Sequence, residues 1–179
     1  MGQWTQGIGQ RRLWKAEEFD GRKPTTYDWC RMAAFMDGEG TIDINTCSAA
    51  KPRYIVRVLI GNTNPNLMVW LRSTFGGNVI FRRVKNPNAK HTYVWSCTAG
   101  RAAWILYNCL PWFLLKGAQA ELMMELQGHI DQTKQGRNRE LPASAFEYRL
   151  GIKTKLRELN ARGREAQKEI VSVEEINRG

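Results

Sequence analysis

The chain has 179 residues, 42% of them apolar, which is enough for a compact domain with a hydrophobic core and excludes a disordered chain. No run reaches the ~18 consecutive apolar residues of a membrane helix, and the polar start, Met1-Gly2-Gln3-Trp4-Thr5-Gln6, does not read as a secretory signal, so an intracellular, soluble protein without a membrane partner is expected. The formal net charge of +10 points to a polyanionic partner.

Residues 1–24 are polar and glycine-rich and read as an N-terminal arm. A helix is predicted over residues 28–37, with Thr25 and Thr26 as natural N-caps, Asp28 as a negative charge in the first turn, and Gly38 and Gly40 at its end. Residues 41–46 alternate with period two and read as a strand. Lys51-Pro52 marks a turn, and residues 53–61, rich in Val and Ile, form a second strand. Pro65 opens a helix with Leu67, Trp70, Leu71 and Phe75 on its apolar stripe, and Gly76-Gly77 stops it. Strands are predicted at 78–84 and 91–98, joined by the turn Asn86-Pro87-Asn88. Helices follow at 101–109 and 113–127, separated by Pro111. After a basic link at 136–139 comes a last charged helix over 143–161, with Phe146, Leu150, Leu156 and Leu159 at near-helical spacing and frayed residues beyond.

Two hairpins with helices between and after them make an α+β domain of order αββαββα. The domain limits read as an arm at 1–24, a core at 25–130 and a C-terminal helical extension and tail at 131–179. One face of the four-stranded antiparallel sheet should pack on helices and the other should stay open and polar.

The charge is unevenly placed. No acidic residue lies between Asp43 and Glu121, while that interval holds ten basic ones: Lys51, Arg53, Arg57, Arg72, Arg82, Arg83, Lys85, Lys90, Arg101 and Lys116. The whole positive excess sits in this block, which suits nucleic acid better than a membrane surface, because its alternation is that of strands. Cys30, Cys47, Cys97 and Cys109 form no CxxC pair and have only two histidines to help them, so free thiols are expected rather than a zinc site.

The segment carrying candidate chemistry is Met32-Ala33-Ala34-Phe35-Met36-Asp37-Gly38-Glu39-Gly40. Ala34 and Gly38 lie four apart on one helical face, a spacing that lets two helix backbones approach closely. Glu39 follows at the helix end. Two such helices side by side would bring two carboxylates together, and carboxylates are hard oxygen ligands for Mg²⁺.

This segment resembles the LAGLIDADG motif of homing endonucleases in its Asp-Gly-Glu-Gly form, with Met32 in place of the first Leu and Ala34 in place of the usual Gly. The similarity extends through Asn62-Thr63-Asn64, Leu71, Phe75-Gly76-Gly77, Tyr93 and Trp95, Leu110-Pro111, residues 116–122 and residues 158–163, so it covers about 27–163. The resemblance implies a saddle-shaped sheet and a site-specific double-strand DNA endonuclease. It makes Glu39 the metal-binding carboxylate, with the Gly38 carbonyl as a second contact to Mg²⁺ or another divalent cation such as Mn²⁺. It makes Asp37 a support for the helix end. It sets Lys116 near the scissile phosphate and gives Asn62 or Asn64 the task of orienting water, with Asn62 preferred because it continues the strand. Asp43, Asn45, Arg53, Arg57, Arg82, Arg83, Thr92 and Ser96 become the DNA-facing set, in which at most one of the adjacent Arg82 and Arg83 reaches bases from the sheet. Tyr93 and Trp95 are expected in the core.

Only one motif copy is present, so the resemblance implies a homodimer joined through Ala34 and Gly38 and a roughly palindromic target cut with short 3′ overhangs. A different class on the same fold, an intron RNA splicing cofactor or a non-cutting DNA binder, is the alternative.

Overall fold

The computed structural model describes residues 23–47, 53–83, 90–133 and 141–176, with side chains described up to Ala161 except at Cys47. The turns expected at 51–52 and 86–88, the link at 136–139 and residues 1–22 of the arm lie outside the described residues. The elements run α1 (Thr26–Glu39), β1 (Gly40–Cys47), β2 (Arg53–Asn62), α2 (Pro65–Phe75), β3 (Asn78–Arg82), β4 (Thr92–Thr98), α3 (Ala99–Cys109), α4 (Gly117–Gln132) and α5 (Ala143–Ile176), with one turn of 3₁₀ helix at Leu110–Trp112. The architecture is α+β in the expected order αββαββα. The chain divides into two compact units, Met1–Met124 and Glu125–Gly179.

In the first unit the sheet is antiparallel, in the order β1-β2-β4-β3. The alternation in β2 explains its two faces: Tyr54, Val56, Val58 and Ile60 are buried, while Ile55, Arg57 and Leu59 point the other way. Val58 pairs with Ile42 and Cys97, and Ile60 pairs with Trp95, so the same face is apolar across neighbouring strands. Burying each such side chain contributes roughly 1.5–3 kcal/mol.

Helix α1 starts where Thr25 accepts from the Asp28 amide and Asp28 Oδ2 accepts from the Thr25 amide, a capping box that satisfies two helix-end donors. Asp28 is itself buried, and its Oδ1 accepts from Trp70 Nε1 at 3.2 Å, tying α1 to α2. Met32, Ala33 and Met36 form the inner face of α1. Trp29 stacks at a tilt on Phe75 and edge-on to Trp104, joining α1, α2 and α3. Trp95 is fully buried, and its Nε1 donates to Gly76 O at 2.8 Å, which gives the indole N–H its partner. Cys30, Cys97 and Cys109 are free; burial pushes the Cys97 and Cys109 thiols up to about 12, so both are inert.

Three expectations are corrected. Helix α1 extends two residues past Asp37 to Glu39, so Gly38 lies inside the helix and Gly40 alone is its C-cap. Helix α4 begins at Gly117 rather than 113, because Phe113 leaves the preceding 3₁₀ turn with an extended backbone and residues 114–116 form a bend. Helix α5 runs on to Ile176, since the charged residues after Ala161 are good helix formers. In the second unit, the inner stripe of α5 is Ala145, Arg149, Ile152 and Leu156, with Leu150 exposed. Arg149 takes the inner position because its guanidinium donates to Thr133 Oγ1 at 2.7 Å and to His129 Nδ1 at 3.4 Å.

Gly40 has a steric rather than a conformational role. A Cβ there would lie 2.5 Å from Met36 Cα and 2.7 Å from Met36 O, because the chain turns from α1 straight into β1 against its own helix. Gly40→Ala should therefore lower the unfolding free energy by about 1–3 kcal/mol in denaturant titrations, as overpacking does. A midpoint equal to that of wild type would mean the exit has room that this geometry denies it.

Candidate active centre and nucleic-acid interface

The end of α1 is a C-terminus whose last carbonyls need donors. Lys116 supplies them from the chain segment before α4. Its Nζ donates to Met36 O, to Asp37 O at 3.0 Å and to Gly40 O at 2.7 Å. The ammonium thus lies where a helix C-terminus favours positive charge. Asp37 makes the reciprocal contact. Its carboxylate accepts from the amides of Leu114 at 2.8 Å, Leu115 at 3.3 Å and Lys116 at 3.0 Å, the orphan donors just ahead of α4. Burial pushes the Lys116 ammonium below its ordinary range, and the nearby Asp37 opposes that push.

Glu39 is the last residue of α1 and is exposed. Asn62, the last residue of β2, donates from Nδ2 to Glu39 Oε2 at 2.6 Å. Its Oδ1 accepts from the Asn64 amide at 2.8 Å, which fixes which end of the side chain meets the carboxylate. Asn64 does something else: its Oδ1 accepts from the Asn66 amide at 2.9 Å and caps α2. Of the two candidate asparagines, Asn62 is the one next to Glu39.

The outer face of α1 carries Tyr27, Arg31, Ala34 and Gly38, all exposed, with the Arg31 guanidinium 5.4 Å from the Tyr27 ring centroid. A Cβ at Gly38 would meet nothing within 4 Å, so this face is open to an approaching helix. Beyond it, Leu114 is 90% and Leu115 72% exposed on the segment that Asp37 holds.

The strand register puts most of the expected DNA-facing residues on the open face of the sheet. Asp43 pairs with Arg57, Asn45 with Ile55, Leu59 with Ser96 and Arg82 with Thr92. Arg53, four residues before Arg57 on β2, shares its face. Arg83 follows the end of β3 and belongs to neither face. Asp43 and Arg57 hold each other: Arg57 Nε donates to Oδ1 at 2.8 Å and a terminal nitrogen to Oδ2 at 2.6 Å. This two-point contact fixes the plane of the guanidinium, though at such exposure it adds only about 0–1 kcal/mol of stability. Of the two aromatics expected in the core, Trp95 is fully buried, while Tyr93 is only half-buried and packs at a tilt on Phe81.

What sequence reasoning missed is the work of Lys116 at the α1 carbonyls. A basic residue after a Leu-Leu pair gives no sign of a partner 80 positions earlier.

No protein-family model and no curated protein matches the sequence. Solved structures do. The homing endonuclease I-CvuI, in complex with its target, aligns with a TM-score of 0.60 at 19% identity over 75% of this chain and 82% of its own. The archaeal intron-encoded homing endonuclease I-Vdi141I, complexed with DNA, aligns with a TM-score of 0.60 at 14% identity over 74% of this chain and 84% of its own. The LAGLIDADG homing endonuclease I-GzeII aligns with a TM-score of 0.53 at 16% identity over 70% of this chain and 43% of its own. This chain has the LAGLIDADG homing-endonuclease fold. Identities this low speak for the fold, and the chemistry has to come from the residues.

The reciprocal hydrogen bonds make a stability prediction. Lys116→Met removes three charge-assisted bonds and should lower the unfolding free energy by about 2–4 kcal/mol. A lysine that served only as a phosphate contact would, when replaced, change stability by less than about 0.5 kcal/mol. Denaturant unfolding of the two proteins separates these outcomes.

Proposed function

We propose that the chain is a site-specific double-strand DNA endonuclease. It hydrolyses phosphodiester bonds with a divalent cation and acts as a homodimer on a long pseudo-palindromic site, leaving short 3′ overhangs. The observation that carries this reading is the exposed Glu39 carboxylate, held by Asn62 where α1 meets the β1–β2 pair, beside a sheet face bearing Asn45, Arg53, Arg57, Arg82, Thr92 and Ser96.

The donor chemistry fits a hard cation. Glu39 and the Gly38 main-chain carbonyl offer oxygen only, the ligand type of Mg²⁺ and Mn²⁺. Among the described residues no group of three or more His, Cys, Asp or Glu is arranged to hold a metal. In the proposed complex the substrate phosphate and the Glu39 of a second chain would supply further oxygens. Glu39 and Gly38 would hold the cation, which when bound supplies charge stabilisation at the phosphate and activation of water.

The chain's own residues do the rest. Asn62 keeps the Glu39 carboxylate in one rotamer through its Nδ2 donor. Asp37 and Lys116 hold the last turn of α1 so that Glu39 does not wander. Lys116 also brings a positive charge close to where the phosphate would lie. The open sheet face lies along the DNA groove, with Arg57 oriented by Asp43 for a guanine edge and Asn45 suited to adenine. The exposed Ala34 and Gly38 let a second α1 pack close, and the bare Leu114 and Leu115 extend the apolar surface such a partner would cover.

Glu39→Gln should abolish Mg²⁺-dependent cleavage, by about 10³-fold or more, while binding of the same DNA persists. A duplex built by rejoining the sequences that flank the gene is the substrate to use. Undiminished cutting by this variant would remove Glu39 from the chemistry, and sustained tight binding without any cutting by wild type would favour a non-cutting binder on this fold. In sedimentation the protein should run as a dimer; a monomer at micromolar concentration would contradict the two-chain centre.

A further inference from the structure

At the end of the sheet lies a cavity of about 320 Å³, and of its lining residues only Ser96 has a role in the function proposed above. Arg72 from α2, Arg101 from α3, Asn78 from β3, and Ser96 and Thr98 from β4 line it, with the Gly76-Gly77 backbone. The lining carries two guanidinium groups, two hydroxyls and an amide, and no acidic side chain.

Its geometry is built rather than incidental. Arg72 is only 7% exposed. Arg101 is fixed by a bond from its terminal nitrogen to Phe75 O at 3.1 Å. Arg72, Arg101 and Cys97 line the same space; burial pushes the Cys97 thiol up, and the two guanidinium groups beside it oppose that push. Gly76 and Gly77 both have positive φ, 70° and 84°, and a Cβ on Gly77 would lie 2.5 Å from Cys97 Sγ and 2.6 Å from Ser96 O. Only glycine passes there. Thr98 is the N-cap of α3 without using its hydroxyl for the cap, and a Cβ on Gly100 in the first turn would meet nothing within 4 Å. The open start of an 11-residue helix adds its positive end to the two arginines.

The cavity also continues the nucleic-acid face. Asn78 and Ser96 are cross-strand partners, and Thr98 is the partner of Arg57. Arg72 and Cys97 come from the core side, so the cavity sits at the rim where the two faces of the sheet meet.

We propose that this cavity is a phosphate-binding pocket that takes one backbone phosphate of the nucleic acid lying on the sheet. Arg101 and Arg72 supply the charge, and Ser96, Thr98 and Asn78 supply neutral donors. Such a contact sets the position of the duplex and carries no sequence information of its own. The inference rests on the DNA-binding reading above, so its test has two arms.

In the first arm, the affinity of the full chain for a random-sequence duplex is measured from 50 to 200 mM salt. Arg101→Gln should reduce the slope of log K against log salt by about 1, while Arg101→Lys keeps it. Arg57→Ala serves as the control on the sheet face, and circular dichroism checks that each variant is folded. In the second arm, inorganic phosphate at constant ionic strength should raise the Tm of wild type and leave Arg101→Gln unmoved. A normal slope in Arg101→Gln beside a reduced one in Arg57→Ala overturns the pocket and leaves the DNA reading standing. Absence of DNA binding by wild type, with phosphate stabilisation intact, overturns both the DNA reading and the backbone occupant, and assigns the pocket to a free phosphate anion. Absence of phosphate stabilisation together with an unchanged slope removes the pocket altogether.

Discussion

Two chain segments about 80 residues apart meet through Asp37 and Lys116, and each residue supplies what the other's segment lacks. The C-terminus of α1 has orphan carbonyls; the entry to α4 has orphan amides. Lys116 donates three times to the first, and Asp37 accepts three times from the second. The Lys116 contacts are part-buried, so leaving those groups unpaired would cost free energy on desolvation. The exchange therefore does more than stabilise: it fixes the direction of α1 at the turn that ends in Glu39. Gly40 can then pass against Met36 into β1, and the sheet begins at a set place relative to the carboxylate.

From that point the register of the sheet does the positioning. β1 starts one residue after Glu39 and β2 ends at Asn62, so the antiparallel pairing itself brings Asn62 to the carboxylate. The same period-two alternation that buries Val56, Val58 and Ile60 turns Asp43, Asn45, Arg57 and Ser96 to the open face. One pattern thus makes both the core and the proposed DNA surface. A one-residue slip would exchange them. The Asp43–Arg57 contact adds little stability, yet it holds the guanidinium plane ready before any ligand arrives, which lowers the entropy lost on binding.

Much of this was legible in the sequence for local reasons. The Thr25–Asp28 cap, the alternation in β1 and β2, Pro65 and the Gly76-Gly77 stop are short-range signals, and the elements follow them. The placing of Asn62 at the end of its strand was legible because strand geometry is predictable within an element. What was hidden depends on contacts between distant segments. Lys116 reads, by resemblance, as a residue near the phosphate, and nothing near it in sequence tells of the α1 carbonyls. Arg72 reads only as one cation of the acid-free block, yet it is buried at a cavity shared with α3 and β4. In α5, Arg149 rather than Leu150 points inward, because His129 and Thr133 give a guanidinium partners that a helical wheel does not show. Gly38 ending the helix was a wrong expectation of a milder sort: glycine permits a stop, and here the α1 hydrogen bonds continue for one more residue.

The central claim is that Glu39 is half of a catalytic centre completed by a second chain. The most direct test is strand cleavage by mixed dimers, in which one chain is wild type and the other carries Glu39→Gln, purified through two different affinity tags. The account predicts that such a dimer loses double-strand cutting while binding its DNA as well as the wild type does. Mixed dimers that cut both strands at the wild-type rate would contradict it, for each chain would then complete its chemistry without the partner's carboxylate.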